Sequence, residues 1–320
     1  MTHPYSTLTP DAVLDAAASL GLRPDGRLLG LNSYENRVYQ VWLEEGAPVV
    51  LKFYRPGRWT REQILEEHDL ARELAEREIP MVAPTHFAEF AGFLFAAYPR
   101  RGGRSPNLED PKVLEWIGRF IGRIHAVGAT RPFRVRPALN VETFGAEPRA
   151  WLLAHAAIPG DLLEPWKAVS EQALTAVKAR FHEAAGARQI RLHGDCHPGN
   201  ILWTEEGPHF VDLDDARTGP AMQDLWMLLS GERAAQERQL RDVLAGYEQF
   251  MDFDRRELRL VEALRTLRLL HYSAWIARRW DDPAFPAAFP WFGSTRYWQD
   301  RILELREQVA LLAEEPLELP

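Results

Sequence analysis

Two neighbouring stretches, Arg191-Leu-His-Gly-Asp-Cys-His-Pro-Gly-Asn200 and Phe210-Val-Asp-Leu-Asp-Asp215, decide the reading of this 320-residue chain. Asp195 follows His193 by two residues, Asn200 follows Asp195 by five, and Asp212 stands at the end of an apolar strand-like run. Pro198-Gly199 favours a turn, so Asp195 and Asn200 can point to one side. Around them the pattern reads as a short strand pair, Gln189–Leu192 with His209–Leu213, and Asn200–Trp203 between. Helical spacing dominates on both flanks. It covers Pro111–Val127 and Glu164–Ala184 before the loop, and Met222–Leu229, Ala234–Phe250, Arg255–Arg279 and Tyr297–Ala313 after it.

The first hundred residues have a different character. Thr9 or Asp11 caps a helix closed by Gly21, and strand signals then take over at Arg27–Leu31, Arg37–Leu43, Pro48–Tyr54, Thr85–Phe90 and Phe93–Tyr98. One long helix, Thr60–Arg77, is inserted after the third strand and stopped by Ile79-Pro80. Pro99-Arg-Arg-Gly-Gly-Arg-Ser-Pro106 is dense in Gly, Pro and charge and marks the boundary. The plan is therefore α+β with two lobes. Residues 1–98 form an antiparallel β-sheet N-lobe with one long helix, and residues 99–320 form a mainly helical C-lobe.

Composition narrows the classes. With 46% hydrophobic and 26% charged residues the chain is globular rather than disordered. One cysteine excludes a disulfide scaffold and favours a reducing compartment. Lys and Arg number 38 against 46 Asp and Glu, a net charge of −8 that argues against nucleic acid as partner. Met1 to Pro10 lacks a basic and apolar leader, and no run approaches a membrane span, so a cytoplasmic chain without membrane contact is expected.

The loop spacing equals that of a kinase catalytic loop, H-R-D-L-x-x-x-N, with Asp212 in place of the later strand-end aspartate. Phosphoryl transfer needs a carboxylate that orients a hydroxyl and takes its proton, which is Asp195. It also needs oxygen ligands for Mg²⁺, which are Asn200 and Asp212. A metal hydrolase is the competing reading, because His193, Asp195, Cys196 and His197 crowd five positions. Gly194, Pro198 and Gly199 argue against the helix that would align such ligands. A plain loop capped by Asp and Asn is the bland alternative. In the first half, Val49-Val-Leu-Lys-Phe53 sets Lys52 in an apolar strand beside Val50 and Tyr54, where it needs a counter-charge. Glu67 shares a helical face with Ile64, Leu70 and Leu74 and should supply it, with Glu66 as second choice.

These blocks resemble the aminoglycoside-phosphotransferase and choline-kinase branch of the protein-kinase-like superfamily. Leu31-Asn-Ser-Tyr-Glu-Asn-Arg-Val-Tyr39, Lys52-Phe-Tyr-Arg-Pro56, Gln63–His68, Phe210–Arg217, Gln223–Leu229, Asp282–Pro286 and Phe289–Trp291 resemble the bacterial stress response kinase A family more narrowly. The resemblance runs from about Leu29 to the C-terminal helix. It implies an ATP- and Mg²⁺-dependent serine/threonine protein kinase that autophosphorylates and serves stress survival. It further implies a cytoplasmic monomer whose partners are proteins bearing Ser/Thr acceptors, itself included. Position by position it makes Asp195 the proton acceptor, Asn200 and Asp212 the Mg²⁺ ligands, Lys52 the phosphate-contacting lysine, and Ser33 part of the phosphate-covering loop. A small-molecule hydroxyl kinase of the choline, homoserine or aminoglycoside type is the alternative on the same site.

The chain departs from the protein-kinase pattern in several places. It has no G-x-G-x-x-G, so the cradle must use Ser33, Asn32 and backbone N–H groups. D-F-G and A-P-E are missing too, and Gly219-Pro220 follows Asp212 within eight residues, which leaves no evident activation loop. Phe95–Pro99 should form an adenine-binding hinge, or else a plain edge strand. Asp214 and Asp215 read as a solvated strand end, Asp224 as a helix cap or first-turn charge, and Cys196 as a small filler residue.

Overall fold

Alternation along one strand explains the packing of the first half. Leu51 and Phe53 point to one face of a sheet, Val50, Lys52 and Tyr54 to the other. The computed structural model describes residues 3–156 and 158–319; Met1, Thr2, Ala157 and Pro320, which the two expected lobes include, lie outside the described residues. The first elements are α1 (Pro10–Ser19), β1 (Pro24–Leu31), β2 (Arg37–Leu43), β3 (Val49–Phe53), α2 (Arg61–Glu76), β4 (His86–Phe90) and β5 (Phe93–Pro99). Next come α3 (Pro111–Gly128), α4 (Glu147–His155), α5 (Gly160–Glu183), β6 (Ile190–Leu192), β7 (Ile201–Thr204), β8 (Gly207–Phe210) and β9 (Arg217–Gly219). The chain closes with α6 (Met222–Leu225), α7 (Arg233–Tyr247), α8 (Val261–Ala277), α9 (Ala284–Ala288) and α10 (Thr295–Ala313). The class is α+β.

Two compact units emerge. The first runs through Pro106 and also takes in Pro198–Asp214; the second comprises Asn107–His197 and the chain from Asp215 onward. A single cut between residues 98 and 99, as the sequence suggests, differs from this division. The physical reason is non-local pairing. Phe210 N–H donates to the Pro80 carbonyl at 2.8 Å and the Phe210 carbonyl accepts from Val82 N–H at 2.9 Å, while Arg104 and Trp203 exchange backbone bonds at 3.0 and 2.8 Å. Such pairings join segments about a hundred residues apart or more, and no local pattern announces them.

In the first unit the sheet is antiparallel with order β1-β2-β3-β5-β4. Val41, Leu51, Phe53, Phe95 and Ala97 bury one face together with Val13, Ala16 and Ala17 of α1. The Phe53 and Phe95 rings stack at 5.2 Å, and truncating either to Ala should cost about 3–5 kcal/mol. On the opposite face Tyr54 and Ala96 pack with Ile64 of α2. A capping box, Thr60 with Gln63, starts that helix. Its buried stripe is Ile64, Glu67, His68, Leu70, Ala71 and Leu74, so a carboxylate rides on the apolar face. Strand β5 is interior and β4 is the edge, which removes the edge-strand reading of Phe95–Pro99.

In the second unit α3 and α7 cross closely because glycines remove side chains at the contact. A Cβ at Gly118 would come within 1.9 Å of the Val243 carbonyl, and one at Gly246 equally close to that of Glu115. Trp166 of α5 meets Trp298 of α10 edge to face. The strand pairing differs from the sequence expectation. Strand β6 pairs with β9, and β7 pairs with β8 as a local hairpin. Closing the short Thr204-to-Gly207 connection costs less chain entropy than the long-range pairing of Gln189–Leu192 with His209–Leu213. The expected Arg255–Arg279 helix begins as a 3₁₀ turn over Arg255–Leu260 and becomes α-helical at Val261. Met222–Leu229 likewise continues past α6 as a 3₁₀ turn.

Candidate active site

Lys52 is almost fully buried, and a buried ammonium requires opposite charge. Its Nζ lies 2.8 Å from Asp212 Oδ1, 3.1 Å from Asp214 Oδ1 and 3.6 Å from Glu67 Oε1. Burial alone would lower the lysine pKa. The carboxylates of Asp212, Asp214 and Glu67 outweigh it and hold the ammonium well above its usual range. Register explains the placement. Lys52 sits opposite Val38 of β2 and Ala96 of β5, on the sheet face covered by α2, whose inward stripe carries Glu67.

Sequence reasoning missed half of this network. Asp214, expected at a solvated strand end, is buried and pairs through Oδ2 with Arg58 Nη1 at 3.0 Å. The same guanidinium nitrogen reaches Glu35 Oε2 at 2.8 Å. Glu35 belongs to the loop Asn32–Asn36 between β1 and β2, and its neighbour Asn36 accepts a hydrogen bond from Arg55 N–H at 3.1 Å. An alternating chain of charge, Glu35–Arg58–Asp214–Lys52–Asp212, thus ties the loop bearing Ser33 to the lysine. The signal was present as Glu35-Asn36 and Lys52–Pro56, but periodicity gave no reason to prefer Arg58 over other surface arginines.

Asn32, Ser33, Lys52, Glu67, Asn200 and Asp212 line a cavity of about 360 Å³ in the first unit, with Val38, Val50 and Ala71 among its apolar walls. Its size suits a small ligand. Tyr98 and Pro99 line it as well. Asp212 adopts φ of 64°, a left-handed conformation that costs a non-glycine residue about 1–3 kcal/mol and is concentrated at functional sites. The Asn200 amide oxygen and the Asp212 carboxylate are hard donors suited to Mg²⁺ or a similar ion. Among the described residues no three His, Cys, Asp or Glu side chains converge on a metal position. An amide oxygen and a carboxylate fit a hard cation that completes its shell with phosphate oxygens and water.

Asp195 belongs to the second unit, where the loop is held by its backbone. Asp224 is buried and accepts Gly194 N–H on Oδ1 and His193 N–H on Oδ2, each at 2.8 Å. The same Oδ2 lies 3.0 Å from His125 Nε2, and Tyr247 Oη lies 3.1 Å from the Nδ1 of that histidine. Burial pushes the Asp224 carboxyl up, but its bonds to His125, the nearby histidines and the Gly194 N–H bring it below the usual range. Asp224 thus stands in the first turn of α6, as one half of the expectation has it, and acts as a buried clamp on the loop rather than a cap of that helix. Gly194 has φ of +84°, and a Cβ there would lie 2.1 Å from the Asp215 carbonyl, so glycine is required. Gln223 Nε2 donates to the Gly194 carbonyl at 3.0 Å. Arg268 Nη1 donates to Asp195 Oδ1 at 2.7 Å, and His197 Nε2 lies 3.6 Å from Asp195 Oδ2. Cys196 is buried, and burial pushes its thiol well up, with Asp224 and Asp195 adding to the effect, as befits a filler residue. Asp215 pairs with Arg217 at 2.6 Å.

Comparison with known proteins shows the family and the fold. The family model described as "Phosphotransferase enzyme family" matches residues 27–261. Stress response kinase A of Escherichia coli (strain K12) is 45% identical over 98% of this chain and 97% of its own length. The serine/threonine protein kinase RdoA of Salmonella typhimurium is 43% identical over the same shares. An amicoumacin kinase, solved in complex with AMP-PNP, Ca²⁺ and Ami, superposes with a TM-score of 0.70 at 18% identity, over 97% of this chain and 95% of that one. The fold is protein-kinase-like, of the aminoglycoside-phosphotransferase and choline-kinase type. The chain belongs to the phosphotransferase enzyme family and, within it, to the stress response kinase A family. No helix among the described residues is long and apolar enough to cross a membrane.

Proposed function

We propose that the chain is an ATP- and Mg²⁺-dependent serine/threonine protein kinase that also phosphorylates itself and acts in stress response as a cytoplasmic monomer. The observation that carries the reading is the Lys52 ammonium held between Glu67, Asp212 and Asp214 at the wall of a cavity that Ser33 and Asn200 also line. Lys52 would contact the nucleotide phosphates, with Glu67 fixing its direction. Ser33 and Asn32 would cover the phosphates in place of a glycine-rich loop. Asn200 and Asp212 would hold Mg²⁺, which when bound neutralises charge on the phosphate oxygens. Asp195 would orient the acceptor hydroxyl and take its proton as that oxygen bonds to the γ-phosphorus and ADP leaves.

The protein acceptor is favoured by full-length likeness to relatives named as stress response and serine/threonine kinases. Likeness to an amicoumacin kinase keeps a small-molecule hydroxyl kinase as the second reading, on far lower identity. Labelled ATP decides between them when offered with the protein alone, with a generic protein, and with choline, homoserine and aminoglycosides. Protein labelling supports the first reading; turnover of one small alcohol without protein labelling supports the second. Asp195→Asn should lower transfer by a factor of about 10²–10⁴ while ATP still binds. Undiminished transfer in that variant would remove the kinase assignment.

A further inference from the structure

We infer that Arg268 selects the acceptor by charge, so that the loop carrying Asp195 takes hydroxyls borne by neutral or acidic peptides and turns away cationic acceptors. The inference rests on the kinase reading and names its substrate class. Arg268 comes from α8, where Arg265, Arg268, Tyr272 and Trp275 recur at steps of three and four and form one stripe, which Arg279 extends just past the end of the helix. Within it Arg265 pairs with Glu262 at 2.7 Å, and Arg279 donates to the Trp275 carbonyl at 3.0 Å. Arg268 instead reaches Asp195, the group that would receive the acceptor proton, at 2.7 Å.

The pair is 40% and 22% exposed, and an ion pair so wet contributes little to stability. Its position is what matters. The guanidinium meets whatever surrounds an acceptor hydroxyl that approaches Asp195, and His197 stands on the other carboxylate oxygen at 3.6 Å. Asp215, the nearest acid in sequence, is already matched by Arg217. An amino alcohol or aminoglycoside carries an ammonium a few bonds from its hydroxyl and would bring like charges together. A serine flanked by Asp or Glu would bring opposite charges together.

The test uses three serine peptides that differ only in Glu, Gln or Lys flanks, together with a neutral polyol and a cationic amino alcohol. Each is offered with labelled ATP to the full-length wild type, Arg268→Lys, Arg268→Ala and Arg268→Glu. The wild type should prefer Glu over Lys flanks by about tenfold in kcat/KM, mainly through KM. Arg268→Lys should keep that ranking, Arg268→Ala should flatten it, and Arg268→Glu should reverse it. Should Arg268→Glu not fold, the Lys and Ala variants read the same ranking. An unchanged ranking in the Ala variant overturns the inference and leaves the kinase reading standing. Labelling of the polyol alone overturns the protein reading and keeps the charge rule. Preferred turnover of the cationic acceptor overturns the charge rule and the protein acceptor together.

Discussion

The two regions to which we assign the chemistry are built on opposite principles. Around Lys52 the first unit packs charge against charge in near-dry surroundings, with Lys52, Glu67, Glu35 and Asp214 all buried. Around Asp195 the second unit leaves that carboxylate and its arginine partly wet, and commits its buried acid, Asp224, to two backbone N–H groups. The first arrangement fixes side chains through one another; the second fixes a backbone and lets a side chain project from it. Removing a charge should therefore damage stability in the first region and loop geometry in the second.

Lys52→Met offers the harshest test of that contrast. It strips the ammonium from three neighbouring carboxylates, and a buried pair broken on one side typically costs about 3–5 kcal/mol. Urea titration should show that loss at neutral pH, and nucleotide affinity should fall with it. Because the folded lysine pKa lies well above its usual value, its contribution is fully present below about pH 10 and is lost only as pH rises beyond that. Stability lost in this variant should thus be constant between pH 6 and 9.

A smaller effect on stability, and a different one on activity, is expected from Asp224→Asn. The amide can accept from one of the two N–H groups and opposes the other with its own N–H, at a cost of about 1–3 kcal/mol. Transfer should drop in kcat while nucleotide affinity in the first unit holds. An equal loss of both would mean that the two regions are not energetically separate.

Opposite in sign is the effect expected at Glu257, whose replacement removes a penalty at neutral pH. Burial pushes its carboxyl up to about 7, against the lowering influence of the Met222 N–H bond. A raised carboxyl pKa favours the protonated fold. Its contribution is complete below about pH 4.5 and fades as pH rises through about 7, a change on the order of 3 kcal/mol. Glu257→Gln should flatten the stability profile between pH 5 and 8, as read by thermal melts across that range.

Much of this site could be read in the chain. The alternation around Lys52, the helical spacing that turned Glu67 inward, and the Asp195-to-Asn200 interval are local properties, and local patterns report side-chain direction faithfully. Arg58, Glu35, Asp214 and Asp224 were not readable in that way. Each owes its role to partners brought close by folding, and a charged residue near a strand end looks solvated until its surroundings are known. Arg268 was unreadable for the same reason, since it lies 73 residues from Asp195 in sequence. The strand pairing failed similarly, because β6 and β9 are too short for alternation to declare a partner.

The sequence by itself determined the class of elements, the face on which each catalytic candidate sits, and the family. Short-range periodicity and motif spacing encode those things directly. Only the tertiary structure decided that residues 198–214 join the first unit, that a chain of alternating charge links Glu35 to Asp212, and that an arginine from α8 pairs with Asp195. Those outcomes depend on contacts between distant segments, whose energies are set by burial and distance rather than by neighbours in the chain.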